Sequence, residues 1–149
     1  EITTRLVGSE MCIRDRLDIK QKERIMTNFK NAEIGTLAEI GEKYENGKAF
    51  LHDLLELTSC EISVNAMTAG LKIPFCHRHF QNEEIYIFLK GEGTITVDNK
   101  VIDVKEGSCV KIMPKAARTI EAKTDMQYLC VQAKTNSLEQ FGLKDAELC

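Results

Sequence analysis

Tryptophan is absent from this chain, proline occurs twice, and histidine appears only three times in 149 residues. No apolar run approaches the ~20 residues of a membrane-spanning helix, which excludes an integral helical membrane protein. The start lacks the charged, apolar and small-residue order of a signal peptide, so a cytoplasmic protein is expected. Neither charge sign gathers into a block: 20 basic residues stand against 23 acidic ones, a formal net charge of -3. That balance excludes a nucleic-acid or anionic-membrane surface as the main partner. Six cysteines are present, but there is no CxxC and no close pair of the kind that builds a zinc knuckle. They read as free thiols used as small core residues in a reducing compartment.

At this length a chain can bury one real core but not two of ordinary size. The stretch "VGSEMCIRDR", Val7 to Arg16, has no clear period of two or of a helical turn, and it resembles translated adapter read-through. Residues 1–27 are therefore expected to be a non-native or disordered leader, with Met26 fitting the start of the natural chain. Within it, "DIKQKERIM" has the composition of a short polar helix. Further on, "KAFLHDLLELT" places Phe50, Leu51, Leu54, Leu55 and Leu57 at the spacing of a short amphipathic turn or helix. His52 sits among these leucines and reads as a structural or exposed imidazole.

Strand signals then recur at short intervals. "CEISVNAM" alternates Cys60, Ile62, Val64 and Ala66 against Glu61, Ser63 and Asn65, a period of two. "TITV" and "VIDV" flank a polar "DNK" at Asp98 to Lys100 and predict a hairpin. "SCVKIM", "RTIEA" and "MQYLCVQAK" complete the set, followed by a polar tail from Thr135 that has room for a turn of helix. Short strands with no long helix between them predict an all-β sandwich or small barrel.

Two of the three histidines fall in "PFCHRHFQNEEIYIFLKGEG", residues 74–93. On a strand, Ile73, Phe75, His77 and His79 share one face, opposite Pro74, Cys76, Arg78 and Phe80. The two imidazoles then converge, and the next strand returns a carboxylate toward them at Glu83 or Glu84. Two neutral imidazoles and a carboxylate form the nitrogen and oxygen donor set that first-row divalent metals take.

"HRHFQNEEIYIFLKG" resembles the first motif of the cupin superfamily, His-x-His, a short spacer, Glu, six residues, Gly. In that register His77 and His79 are ligands, Glu84 is the motif glutamate and Gly91 closes the motif. The resemblance implies a double-stranded β-helix, the cupin jelly-roll barrel, with short flanking helical segments: a single domain over 28–149 with its barrel core at about 59–134, commonly a homodimer. It is closest in kind to small bacterial cupins without an assigned reaction. The second cupin motif is partial. Gly107 and Pro114 stand for its Gly and Pro, but Ala116 replaces the motif Gly and Thr119 falls where the fourth-ligand His belongs. His77, His79 and Glu84 then resemble a 2-His-1-carboxylate triad with open positions.

The implied cofactor is a divalent ion, Fe, Mn, Zn or Ni, and the implied partner a small molecule. A dioxygenase or a sugar-type isomerase fits such a site; so does a non-catalytic module binding or sensing a small metabolite or carbohydrate. Arg118 is a candidate for pairing with an anionic substrate group, against a surface salt bridge as the plainer reading. Thr119, Tyr86, Phe88 and Gln132 are candidate pocket residues, with barrel lining as the plainer reading. Cys76 is expected to serve packing.

Overall fold

The computed structural model describes residues 28–148. The expected leader, residues 1–27, lies outside the described residues, together with "DIKQKERIM", Cys12 and Cys149. The elements fall within the compact unit Ala32–Cys149.

Strands β1 (Lys48–Phe50), β2 (Glu61–Met67), β3 (Asn82–Lys90), β4 (Glu92–Val97), β5 (Lys100–Lys105), β6 (Cys109–Ile112), β7 (Arg118–Ala122) and β8 (Met126–Lys134) build two antiparallel sheets. The larger runs β1-β2-β8-β3-β6 and the smaller β5-β4-β7. This is the expected all-β jelly roll. Its helical pieces are single turns, including Ile40–Lys43, Leu51–Leu55 and a 3-10 turn at Gly142–Asp145 in the tail. "KAFLHDLLELT" divides between β1 and the turn Leu51–Leu55, so the sheet begins before the expected core boundary.

The two sheets close on a core that includes Tyr86 and Phe88 from β3, Ile95 from β4, Ile120 from β7 and Tyr128 from β8. Alternation on β3, "NEEIYIFLK", buries Glu84, Tyr86 and Phe88 together, as a period of two requires. The hairpin at "DNK" is a two-residue connection. Val97 pairs with Lys100, and Asp98 and Asn99 both take positive φ, 45° and 68°, as a type I′ turn demands. Gly91 has φ 79°, and a Cβ there would collide with the carbonyl oxygen of Asp125. The close of the first motif is therefore a backbone crossing that admits only glycine.

Strand β2 is turned opposite to a simple reading of its alternation. Ser63 and Asn65, its polar set, are buried, and so is Val64. Val64 packs with Ile40 and Ala49 in a second, smaller cluster that also takes in Ala66. The segment 34–51 thus covers the outside of the large sheet, and β2 presents its polar face to the barrel interior.

Residues 70–79 do not form a continuous strand. They run beside β7 through isolated pairings: Gly70 N–H to Ala122 O at 2.9 Å, Ile73 N–H to Ile120 O at 3.0 Å, and a reciprocal pair between His77 and Arg118. Pro74 lacks a donor and interrupts the ladder. The alternation expected for this segment persists in part, with Ile73, His77 and His79 partly buried and Cys76 and Phe80 exposed, while Phe75, expected on the side of the histidines, is exposed as well. Cys76 therefore does not serve packing. Of the described cysteines only Cys130 is buried, and all four are free thiols.

Candidate metal centre

Three elements converge at one end of the barrel. The irregular segment beside β7 supplies His77 and His79, held by the backbone pair with Arg118 and by Lys115 N–H donating to His79 O at 2.8 Å. Strand β3 supplies Glu84. One ligand atom from each of His77, His79 and Glu84 lies within 4.8 Å of the others. The histidine rings meet edge to face at 5.4 Å between centroids, and His79 Nε2 is 2.8 Å from Glu84 Oε1.

Glu84 is 4% exposed and Arg118 1% exposed. Arg118 donates through Nε at 2.8 Å and Nη2 at 2.5 Å to Glu84 Oε2, and through Nη1 to Ala116 O at 3.0 Å. Tyr86 adds a hydroxyl donor to the same Oε2 at 2.7 Å. Burial would push the Glu84 carboxyl up. The hydrogen bonds from Tyr86 and Arg118 outweigh it and hold the pKa at about 2, so the carboxylate stays ionised. One oxygen is fully occupied, and Oε1 faces the histidines.

The neighbouring strand places Gln132 directly opposite Glu84. Its amide lies 2.7 Å from His79 Nε2 and 3.3 Å from Glu84 Oε1. The amide nitrogen donates to Glu84 Oε1, and the amide oxygen accepts from Asn82 Nδ2 at 3.3 Å; which of Glu84 and Gln132 pairs with His79 Nε2 is set by the imidazole tautomer. His77 Nδ1 is buried and has no hydrogen-bond partner. Burial, then the Arg118 charge, lowers the His77 pKa, which keeps its imidazole neutral. An orphaned nitrogen beside an ionised carboxylate oxygen fits a cation better than it fits a sealed hydrogen-bond network.

The remaining candidates separate clearly. Arg118 is no surface salt bridge: it faces inward, because β7 buries Arg118, Ile120 and Ala122 on one side. Thr119 sits on the other register and donates its hydroxyl to Ile73 O at 3.1 Å, so the residue counted to the fourth-ligand position is engaged with backbone. Phe88, 1% exposed, packs tilted against Tyr128 at 5.5 Å between ring centroids and lines neither the cavity beside His77 nor the recess next to it. His52 pairs on the surface with Asp53 at 3.0 Å. Beside the histidines lies a cavity of about 180 Å³ whose walls include Lys48, Asn65, His77, Tyr86, Arg118 and Tyr128. It continues, past Lys48, Asn65, Ile73, Phe75 and Tyr128, into an open recess of about 970 Å³. Lys48, Asn65 and Tyr128 went unnoticed as a group in the sequence. They come from three separate strands, and only the polar half of β2's alternation pointed toward them.

A jelly roll with two histidines and a glutamate gathered at the end of its barrel defines a class, small barrels able to hold a metal ion. Comparison with known proteins narrows it. The Cupin domain family matches residues 65–132. A cupin protein of Bacteroides fragilis is 35% identical, the similarity covering 83% of this chain and 99% of that one with a TM-score of 0.73. An RmlC-like cupin protein of Desulfovibrio desulfuricans is 26% identical over 58% of this chain and 79% of its own, TM-score 0.51. An uncharacterized protein of Methanocaldococcus jannaschii is 39% identical over 56 residues, 36% of this chain, and the match spans 45% of that relative's length. The chain belongs to the cupin superfamily.

Proposed function

We propose that this protein is a metal-dependent small-molecule cupin, a single domain over 28–149, in which His77, His79 and Glu84 Oε1 hold Fe, Mn, Zn or Ni and Gln132 stands beside them as a polar neighbour. The observation that carries the reading is the buried, partnerless Nδ1 of His77 within a two-nitrogen, one-oxygen donor set. Bound there, the ion would supply Lewis-acid or oxygen-binding chemistry, the basis of an isomerase or a dioxygenase. The chain's own residues fix the rest. Arg118 and Tyr86 lock the Glu84 carboxylate in one orientation and keep it ionised. Tyr86 itself stays a neutral donor, because burial raises its pKa far above the ordinary phenol value. Cys130, pushed up to about 12 by burial and by the Glu84 charge, stays a neutral thiol and no nucleophile.

A cytoplasmic homodimer completes the proposal. Among the described residues no helix is long and apolar enough to cross a membrane, and Phe80, Val101 and Met113 give exposed apolar surface for a second copy. Sedimentation analysis decides that part.

One observation favours the alternative, a binding or sensing module without chemistry. Arg118 already balances the Glu84 charge, so this carboxylate needs no ion to be neutralised. Elemental analysis of untagged protein separates the two, alongside a His77→Ala, His79→Ala double variant. Near-stoichiometric metal that vanishes in the variant supports the metal-dependent reading. Its absence after incubation with each of the four ions overturns that reading and leaves the binding module.

A further inference from the structure

The neck between the inner cavity and the outer recess carries a row of polar side chains that the metal reading does not use. On the large sheet Lys48 pairs with Asn65, and Asn65 pairs with Tyr128. The three therefore stand side by side on neighbouring strands about 4.8 Å apart, all on the face turned to the interior. All three line both the inner cavity and the recess. Opposite them stand Ile73 and Phe75, an apolar wall.

Each member of the row has capacity left over. Tyr128 is 4% exposed and lines the cavity, and no side-chain hydrogen bond of the described residues engages its hydroxyl. Burial raises its pKa, so it is a donor and not an anion. The Lys48 ammonium lies over the Phe50 ring at 4.7 Å, and no carboxylate among the described residues pairs with it. Asn65 directs its amide N–H groups to Ser63 and to Tyr128 O, which fixes the side chain in place. Arg118, the other cation of the cavity, is already taken by Glu84. The row thus presents one positive charge without a carboxylate partner and one hydroxyl donor on the wall of a cavity of about 180 Å³, room for a small organic acid.

We propose that Lys48 and Tyr128, on the rigid row completed by Asn65, form a carboxylate-binding subsite, and that the protein's ligand is a small organic acid with an apolar body lying against Ile73 and Phe75. A single ammonium with one phenol matches a monoanion. A phosphate dianion would call for the bidentate guanidinium that Glu84 has already claimed. The subsite shares the cavity wall with His77 and Glu84 but uses none of the metal ligands.

The test is calorimetric titration of the full chain as purified with benzoate, with benzamide as the neutral isostere and inorganic phosphate as a competitor. Saturable binding of benzoate and none of benzamide is expected. Tyr128→Phe and Lys48→Met should each weaken it by roughly tenfold, the loss of one hydrogen bond to a charged group. His79→Ala should leave benzoate binding in place, because the neck does not include that histidine. Benzamide binding as well as benzoate, indifference to both Tyr128→Phe and Lys48→Met, or no saturable binding of benzoate would each overturn the subsite. Phosphate displacing benzoate at lower concentration would overturn the carboxylate class. Loss of benzoate binding in His79→Ala would place the anion on the metal. Metal content is measured separately, so the subsite and the metal reading fail independently. Tyr128→Phe removes a single oxygen, and a thermal melt equal to that of the parent shows that any lost binding is not lost folding.

Discussion

Arg118 and Glu84 form a two-pronged ion pair through a single carboxylate oxygen, Oε2, inside the barrel, with both side chains all but inaccessible to water. The other oxygen is left to the histidines. A buried charge is tolerable only while its partner remains.

Arg118→Met should therefore destabilise the fold by about 3–5 kcal/mol, the usual penalty for stranding a buried charge. Adding Glu84→Gln to that variant should recover much of the loss, because neither charge is then left alone. Urea denaturation of the two single variants and the double variant measures the coupling directly. Additive losses would mean that the pair is not energetically joined.

The same carboxylate sets an acid limit. Its folded pKa is held at about 2 against an ordinary value near 4.5. A depressed carboxylate pKa gives stability that is complete above the ordinary value and lost as pH falls from there toward about 2. Chelator-treated wild type should lose stability steeply between pH about 4.5 and 2. Glu84→Gln, which has no proton to gain there, should show a shallower slope over the same window.

Gln132→Leu should raise the metal dissociation constant by about ten- to a hundredfold, the range seen when a polar group around a metal site is removed. Competition against a chromophoric chelator reads this without any assay of activity. An unchanged constant would show that the amide serves only His79.

Gly91 and Gly107 share a positive φ, 79° and 82°, yet differ in surroundings. Alanine at Gly91 meets the Asp125 backbone, whereas nothing lies within 4 Å of a Cβ at Gly107. Gly91→Ala should cost on the order of 3 kcal/mol and Gly107→Ala about 1 kcal/mol. Comparing melting temperatures of the two variants separates collision from backbone strain.

Much of this architecture was legible in the residues. The His-x-His and Glu84 spacing held because a period of two survives even where Pro74 breaks the ladder. The "DNK" hairpin held because two consecutive residues with positive φ leave few alternatives. For Arg118 the sequence left an inward anion partner and a surface salt bridge both open, and Lys115, with a φ of 70°, turns the chain just before it. The reliable signal lay downstream: in "RTIEA" the apolar Ile120 and Ala122 share a face with Arg118. The side taken by Ser63 and Asn65 was left open for a related reason. Alternation identifies two faces but not which of them is the interior, and here a covering segment made the apolar face of β2 the outer one.

That covering segment bears on where the domain can be cut. The family match begins at residue 65, in the middle of β2. The roof over Val64, from Ile40 and Ala49, and the ammonium of Lys48 both lie before it. A fragment trimmed to the matched residues would expose an unpaired edge on β8 and lose the neck's cation in one stroke. The segment 34–51 thus carries both the cover over the large sheet and a residue of the cavity wall, so removing it would alter packing and cavity together.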